Sequence, residues 1–219
     1  MQAVKSDTNI VIVANQFNPS IIDRLWLVKH KVLTEDDFLE GSISVPVVSQ
    51  VRSKHFNLTV LPDQLQFSPA KEIDAAADVV RTKLGLIVDK LPETPYTAIG
   101  ANFTWHLLST NEDIHIFCKQ LFFRSPSPLY KTFDTDDALF GAYLSKNALG
   151  SRLRLDIKPI TINRDAKSTQ ALQLAFNFHV DLIPENKNVL IHELLDKWET
   201  AGNLAESIVT GVIEEYKPL

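Results

Sequence analysis

The stretch QALQLAFNFHVDLI, residues 170–183, alternates apolar and polar side chains along its whole length. The apolar positions are Leu172, Leu174, Phe176, Phe178, Val180 and Leu182, and the positions between them are Gln173, Ala175, Asn177, His179 and Asp181. Side chains of a strand point alternately to the two faces of a sheet, so this pattern predicts a strand with one apolar and one polar face. Such a strand is typical of an antiparallel sheet that is covered on one side only.

The preceding stretch SRLRLDIKPITI, residues 151–162, shows the same alternation. Leu153, Leu155 and Ile157 face one way, while Arg152, Arg154, Asp156 and Lys158 face the other. Further strands are predicted at residues 9–14, 42–52, 55–61, 64–68, 96–107 and 138–146. Pro46 makes 42–52 an edge strand or a bulged strand, because proline has no N–H to donate to a neighbour.

Helical spacing of apolar residues predicts helices at 19–33, 72–90, 188–200 and 204–216, and a further helix that starts after Asn111. Asn18 and Asn111 are expected to cap the helices that follow them, and Gly202 is expected to interrupt the last helical region. Strand runs followed by long helices predict an α+β fold with the helices on one face of a mainly antiparallel sheet.

The order of these elements repeats: strand, helix, three strands, helix. Ala14-Asn15 and Ala101-Asn102, 87 residues apart, lie near corresponding points of the two strings. We therefore predict one compact domain, 1–219, made of two structural repeats, 1–94 and 95–219. This element order resembles the TATA-binding-protein-like class, in which two repeats share a curved sheet. The resemblance implies a topology and no site residues, since no diagnostic motif accompanies it.

Composition narrows the classes of function. The net charge is −5 and the 22 Lys and Arg residues are scattered, which disfavours a nucleic-acid binder because such proteins concentrate positive charge. No run approaches the roughly 20 apolar residues of a membrane span, so a membrane protein is not expected. A single cysteine, Cys118, excludes an internal disulfide and fits a reducing compartment. We expect a soluble, cytoplasmic protein.

Catalytic motifs are missing from the sequence. It contains no GxSxG nucleophile elbow and no GxxxxGK[ST] or GxGxxG phosphate loop. Cys118 lies on the apolar stripe of its helix, so a buried, inert thiol is expected. Asp156-Ile157-Lys158 resembles the acidic-x-lysine end of a metal-dependent nuclease core, with an upstream acid at 134, 136 or 137. Strict alternation already explains this pair as charges on the polar face of a strand.

Three histidines, His55, His106 and His179, fall on the polar faces of predicted strands. They would converge on zinc only if their strands were neighbours, and the sequence holds no close ligand pair such as HxH or HxxxH. We predict no metal and no cofactor.

These observations favour a non-enzymatic binding or interaction module. It would present a sheet face, or the groove between the repeats, to a protein partner or a small ligand. The candidate binding residues are Asn102, His106, Asn177 and His179, and a homodimer is left open. The alternative is a metal-dependent hydrolase or nuclease that uses Asp156 and Lys158.

Overall fold

A computed structural model describes residues 1–70, 75–109, 113–123, 128–164 and 167–214 of the chain. These residues form an α+β fold around one antiparallel sheet of nine strands, which confirms the predicted class. The strands are β1 (Gln2–Ala14), β2 (Ile43–Val45), β3 (Val48–Arg52), β4 (Phe56–Val60), β5 (Gln64–Pro69), β6 (Tyr96–Leu108), β7 (Ala142–Ala148), β8 (Ser151–Arg164) and β9 (Lys167–Asp181). The helices are α1 (Arg24–Lys29), α2 (Ala76–Val79), α3 (Gly85–Asp89), α4 (Ile114–Phe122), α5 (Pro128–Thr132), α6 (Lys187–Asp196) and α7 (Trp198–Glu214), with a π-helical turn (Val80–Leu84) joining α2 to α3 and a 3₁₀ turn at Glu35–Asp37.

The strand order is β2-β3-β4-β5-β1-β6-β9-β8-β7. The first half of the chain therefore builds one side of the sheet and the second half builds the other. β1 and β6 meet at the centre, and they pair from Gln2 opposite Leu108 to Ala14 opposite Tyr96. None of the helices in the described parts of the chain is long and apolar enough to cross a membrane.

Alternate residues of the central strands are buried under helices. Ile10 and Ile12 of β1, Phe103 of β6 and Phe176 of β9 are at most 1% exposed. Phe103 packs against Trp198 of α7 with ring centroids 5.6 Å apart, and Ser49 of β3 donates a hydrogen bond to the carbonyl of Ile22, just before α1. The opposite face of these strands carries polar and small side chains, and we call it the open face.

β1 is much longer than the predicted strand 9–14. Its alternation is interrupted by a bulge between Lys5 and Asp7, where Ser6 is the extra residue. A bulge turns the side chains that follow it, and here it places both Lys5 and Thr8 on the helix side, opposite Trp105 and Phe103. The polar residues before Asn9 therefore have the pattern of a loop, although all of them except Ser6 are paired with β6.

The first helix is shorter than the predicted 19–33 at both ends, because it begins at Arg24 and ends at Lys29. Asp23 caps it by accepting a hydrogen bond from the Trp26 N–H, whereas Asn18 accepts one from the Ser20 N–H in a turn before the helix. Lys31, at a φ of 59°, lies in the left-handed region just past the helix end. A local cap therefore replaced the one expected at Asn18.

The segment 42–52 forms two strands and not one. Pro46 and Val47 make the turn between β2 and β3, and β2 is the outermost strand of the sheet. The predicted strand with Pro46 inside it is therefore wrong, although one of the two strands that replace it, β2, is an edge strand. This hairpin gives the first half four strands after its helix, where three were predicted.

The break in the last helical region lies at Lys197, not at Gly202. Gly202 is inside α7, where a methyl group on its α-carbon would lie 3.1 Å from Cε1 of Phe103. The glycine thus allows a close approach of the helix to the sheet. The predicted cap at Asn111 lies outside the described residues, and α4 is capped by Asp113, whose side chain accepts from the His115 N–H.

Candidate functional site

A row of three asparagines crosses the open face at the centre of the sheet. Asn9 of β1, Asn102 of β6 and Asn177 of β9 are cross-strand partners in the ladder. The Asn177 amide donates to Oδ1 of Asn102 at 2.8 Å, and the Asn102 amide donates to Oδ1 of Asn9 at 2.9 Å. The Asn9 amide donates in turn to Asp7 at 2.6 Å. We call Asp7, Asn9, Asn102 and Asn177 the asparagine row.

The asparagine row spans the junction between the two halves of the chain, since Asn9 belongs to the first half and the other two asparagines to the second. Asn9 is only 8% exposed and has both a donor and an acceptor partner, as a buried amide requires. Each side-chain amide has two N–H groups, and the bonds of the row use one of them per asparagine. The second N–H of each amide, and Oδ1 of Asn177, are not used within the row.

Gly100 provides the space in which the Asn177 amide lies. It is the neighbour of His179 across the strand pair, and a methyl group there would come within 2.6 Å of Nδ2 of Asn177. A side chain at this position would displace the amide that bonds to Asn102. The hydrogen bond between Asn177 and Asn102 therefore requires a glycine at position 100.

The structure brings three of the four predicted binding residues into neighbouring positions. Asn102 and Asn177 are hydrogen-bonded, and His179 lies two residues along β9 on the same face, where its Nε2 is 2.9 Å from Asp181. His106 lies four residues along β6 in the other direction, about 14 Å away at the rise of an extended strand, with its Nε2 3.4 Å from the Ser6 hydroxyl. Whether these residues bind anything stays a prediction.

Sequence reasoning missed Asp7, Asn9 and Gly100 as members of this site. Asn9 is the first residue of the predicted strand 9–14, and Asp7 lies before that strand begins. The length of the predicted strand 96–107 could have revealed them, because β1, which pairs with β6 along its length, has the same 13 residues as β6. A full-length partner for the predicted strand 96–107 requires the residues before Asn9.

Asp156 and Lys158 both lie on β8 with Asp156 opposite Ala175 and Tyr143 on the flanking strands. The Lys158 ammonium donates to Asp156 at 2.7 Å, and both side chains are about half exposed. Asp134, one of the acids considered as a metal partner, is ion-paired with Lys119 of α4, which packs on the helix side. The geometry is that of a surface charge pair on the open face.

The three histidines considered for zinc are not near one another. His55 pairs with Asp37 at 3.1 Å beside the 3₁₀ turn, His106 contacts Ser6, and His179 contacts Asp181. Within the described residues, no group of three or more His, Cys, Asp or Glu side chains could hold a metal ion.

Two titratable groups away from the open face have shifted pKa values. The backbone N–H of Thr34, at 2.7 Å, lowers the pKa of Asp37 to about 2, with help from the Thr34 hydroxyl and His55. Burial raises the pKa of the Cys118 thiol to about 12, as expected for an inert cysteine in the core. Neither group lies near the asparagine row.

The charges of the open face are mixed. In the centre and second half of the sheet, Arg152, Arg154 and Lys158 of β8 are offset by Asp7, Asp156 and Asp181. The described residues of this part of the open face therefore do not concentrate positive charge as nucleic-acid-binding proteins do. Comparison of the sequence with protein-family models and with curated proteins finds no match.

Proposed function

We propose that this protein is a non-enzymatic binding module that presents the open face, centred on the asparagine row, to a protein partner. The observation that carries the proposal is the row itself. It is a hydrogen-bonded set of amides at the junction of the two halves, with one N–H per asparagine not used within the row. Amide N–H and C=O groups at this spacing, about 4.8 Å from strand to strand, suit the polar groups of a polypeptide surface.

The size of the face favours a protein over a small ligand. Nine strands at about 4.8 Å spacing give a width of about 38 Å, and the longer strands add a similar dimension. A typical stable interface needs about 800 Å² from each partner, which this face can supply. Its near balance of positive and negative side chains favours a partner of mixed charge over a nucleic acid.

We further propose that residues 1–94 and 95–219 are repeats of a duplicated unit with the topology of the TATA-binding-protein-like class. Support comes from the two central strands, which have equal length and pair end to end, and from the contiguous place of each half in the sheet. The two Ala-Asn pairs do not mark equivalent positions, because Ala14 ends β1 while Ala101 lies in the middle of β6. We place the protein in the cytoplasm on the basis of its single, buried cysteine.

Site-specific photo-crosslinking tests the binding role. A photoreactive amino acid is introduced at Gln173, on the open face, and at Ser207, which is exposed on α7. The proposal expects a defined crosslinked partner from position 173 and not from position 207. The purified partner should then bind the wild-type protein at least tenfold more tightly than an Arg154→Glu variant. Equal crosslinking from both positions, or unchanged affinity of the variant, would show that the open face is not the interface.

The alternative function, metal-dependent hydrolysis through Asp156 and Lys158, has a separate test. Hydrolysis of phosphodiester and peptide substrates is measured with added Mg²⁺, Mn²⁺ or Zn²⁺, for the wild type and for Lys158→Ala. Metal-stimulated turnover that the substitution abolishes would support the enzyme and count against the binding module. Because Lys158 already neutralises Asp156, we expect no such turnover.

A further inference from the structure

A cleft opens where β1 and β5 part from each other. The two strands pair from Val13 opposite Gln64 to Ile10 opposite Phe67, but β5 continues to Pro69 beside β4 without pairing with β1. Beyond this point the strands diverge and leave a cleft of about 460 Å³. It is lined by Lys5, Ser6, Asp7 and Thr8 of β1, by Ser68, Pro69 and Ala70, and by Asn57, Ala76 and Trp198. We call it the β1–β5 cleft.

Consecutive residues line this cleft on both strands. A cavity on one face of a sheet would be lined by every second residue, because neighbouring side chains point to opposite faces. Lining by four consecutive residues of β1 means that the cleft faces the edge of the strand, where backbone N–H and C=O groups point. The cleft therefore offers main-chain hydrogen-bonding groups in addition to its side chains.

Lys5 supplies the positive charge of the cleft. Its ammonium lies 5.2 Å from the ring centre of Trp105 and 5.5 Å from that of Phe103, so the aromatic side of the sheet holds it in place. Among the described residues, no carboxylate lies within ion-pair distance of it. Partial burial lowers the pKa of Lys5, although the residue as a whole is exposed, while the negative charge of Glu206 acts in the opposite direction. Of the two charged residues of the bulged segment, Asp7 accepts from the Asn9 amide, and the Lys5 ammonium makes no ion pair with a carboxylate of the described residues.

We propose that the β1–β5 cleft binds a small organic acid, with its carboxylate on the Lys5 ammonium and its remaining polar groups on the strand edges. The volume lies in the range of small-molecule sites, and the lining combines apolar walls with a few polar groups, as such sites do. A carboxylate is favoured over a neutral ligand because a charge-assisted hydrogen bond to the Lys5 ammonium is stronger than a neutral one. The bulge at Ser6 is the device that turns Lys5 toward the helix side. This site adjoins the open face at Asp7, but it does not depend on the binding role proposed for that face.

A matched pair of ligands tests this site. Naphthalene-1-acetate and naphthalene-1-acetamide share ring and shape and differ in the charge of one group. They are titrated into the full chain, with isothermal calorimetry for affinity and amide NMR signals of Lys5–Thr8 for location. We expect the acid to bind at least tenfold more tightly than the amide and to shift the signals of this segment.

Substitutions then assign the preference to Lys5. Lys5→Met should reduce the preference for the acid to less than threefold, while Lys5→Arg should keep it; circular dichroism confirms that both are folded. Lys158→Met, which removes a lysine of the open face, is the control and should leave the preference unchanged. Equal binding of acid and amide, an unchanged preference in Lys5→Met, or no shift of the Lys5–Thr8 signals at millimolar acid would overturn the proposal. Neither set of outcomes bears on crosslinking from the open face, so the two proposals fail independently.

Discussion

Replacing Asn102 by alanine is expected to lower the free energy of unfolding by about 1–3 kcal/mol. Asn102 is the middle member of the asparagine row, where it accepts from Asn177 at 2.8 Å and donates to Asn9 at 2.9 Å. A protein hydrogen bond contributes about 0.5–1.5 kcal/mol net, and the substitution removes two of them. Asn9 is buried, so its Oδ1 would lose its partner where water reaches it poorly. Asn177→Ala removes one bond and should cost about 0.5–1.5 kcal/mol.

A double-mutant cycle isolates the bond between these two residues. The wild type, the two single variants and the double variant are unfolded in urea and followed by circular dichroism. Because the shared bond is lost in either single variant, the double variant should be less destabilised than the sum by about 0.5–1.5 kcal/mol. For a chain of this size, each kcal/mol corresponds to a shift in Tm of about 2–4 °C, so thermal unfolding provides a second measurement.

A second pair on the same face serves as the control. Thr59 and Gln66 also lie opposite each other on neighbouring strands, but the structure gives these two described residues no side-chain hydrogen bond to each other. Their coupling energy should be below about 0.3–0.5 kcal/mol, the usual scatter of additive sites. If the asparagine pair gives no more coupling than this control, the row does not act as a connected set of hydrogen bonds, and the argument built on it fails.

Four further predictions concern single sites. Gly100→Ala should displace the Asn177 amide and so remove the coupling energy between Asn102 and Asn177. Its Tm should stay within about 2–4 °C of wild type, because alanine is favoured over glycine in a strand. Gly211→Ala, where no described atom lies within 4 Å of the new methyl group, should stabilise α7 by about 0.5–1 kcal/mol, measured by thermal unfolding. The pKa of Asp37 is lowered on folding, so its contribution is complete above pH 4 and lost as the pH falls toward about 2; acid unfolding should therefore be shallower across that window in Asp37→Asn, and an identical pH profile would contradict the assignment. Cys118 should resist 5,5′-dithiobis(2-nitrobenzoate) in the native protein and react only at the rate of unfolding in urea, whereas fast labelling without urea would show that it is accessible.

The class of fold was predictable because burial on one face of a strand leaves a period of two in the sequence. β8 and β9 follow that rule along most of their length, and their predicted faces are the observed ones. β1 escaped because the bulge at Ser6 shifts the period by one residue, so that a charged residue, Lys5, occupies the helix side. Alternation cannot reveal a strand whose period is interrupted in this way.

Helix boundaries were less predictable, since they depend on which of several capping residues the backbone uses. Asn18 and Asp23 are both good caps, and the choice of Asp23 follows from the turn that Asn18 stabilises before it. Gly202 shows the opposite case, where tertiary contact overrides local propensity. The helix tolerates glycine because its bare α-carbon lets α7 approach Phe103.

Two of the four residues of the asparagine row, Asn102 and Asn177, were predicted from the sequence. Asn102, Asn177 and His179 could be placed on the polar face of long strands. Asn9, the partner of Asn102, lies 93 residues away in the sequence, and the register that joins β1, β6 and β9 is a property of the whole sheet. The cleft beside Lys5 could not be found at all, because it exists only where two strands that pair at Ile10 and Phe67 separate. The alternation of apolar and polar residues does not show where two paired strands separate.

The asparagine row has a structural role besides the binding role that we propose, and the experiments separate the two. A slip of one residue between β1 and β6 would turn Asn9 to the apolar side, where its amide would lose both partners, so the row also fixes the register at the junction of the two halves. If the asparagines only fix the register, they need the hydrogen bonds to one another and no external partner. It predicts the coupling energy of the cycle but no partner crosslinked from Gln173. A binding surface predicts both, and its partner should be sensitive to Arg154, which lies opposite Asn177 on β8. A coupled row with a silent open face would therefore assign the asparagines to the architecture of the sheet, and coupling together with a crosslinked partner would assign them to its function.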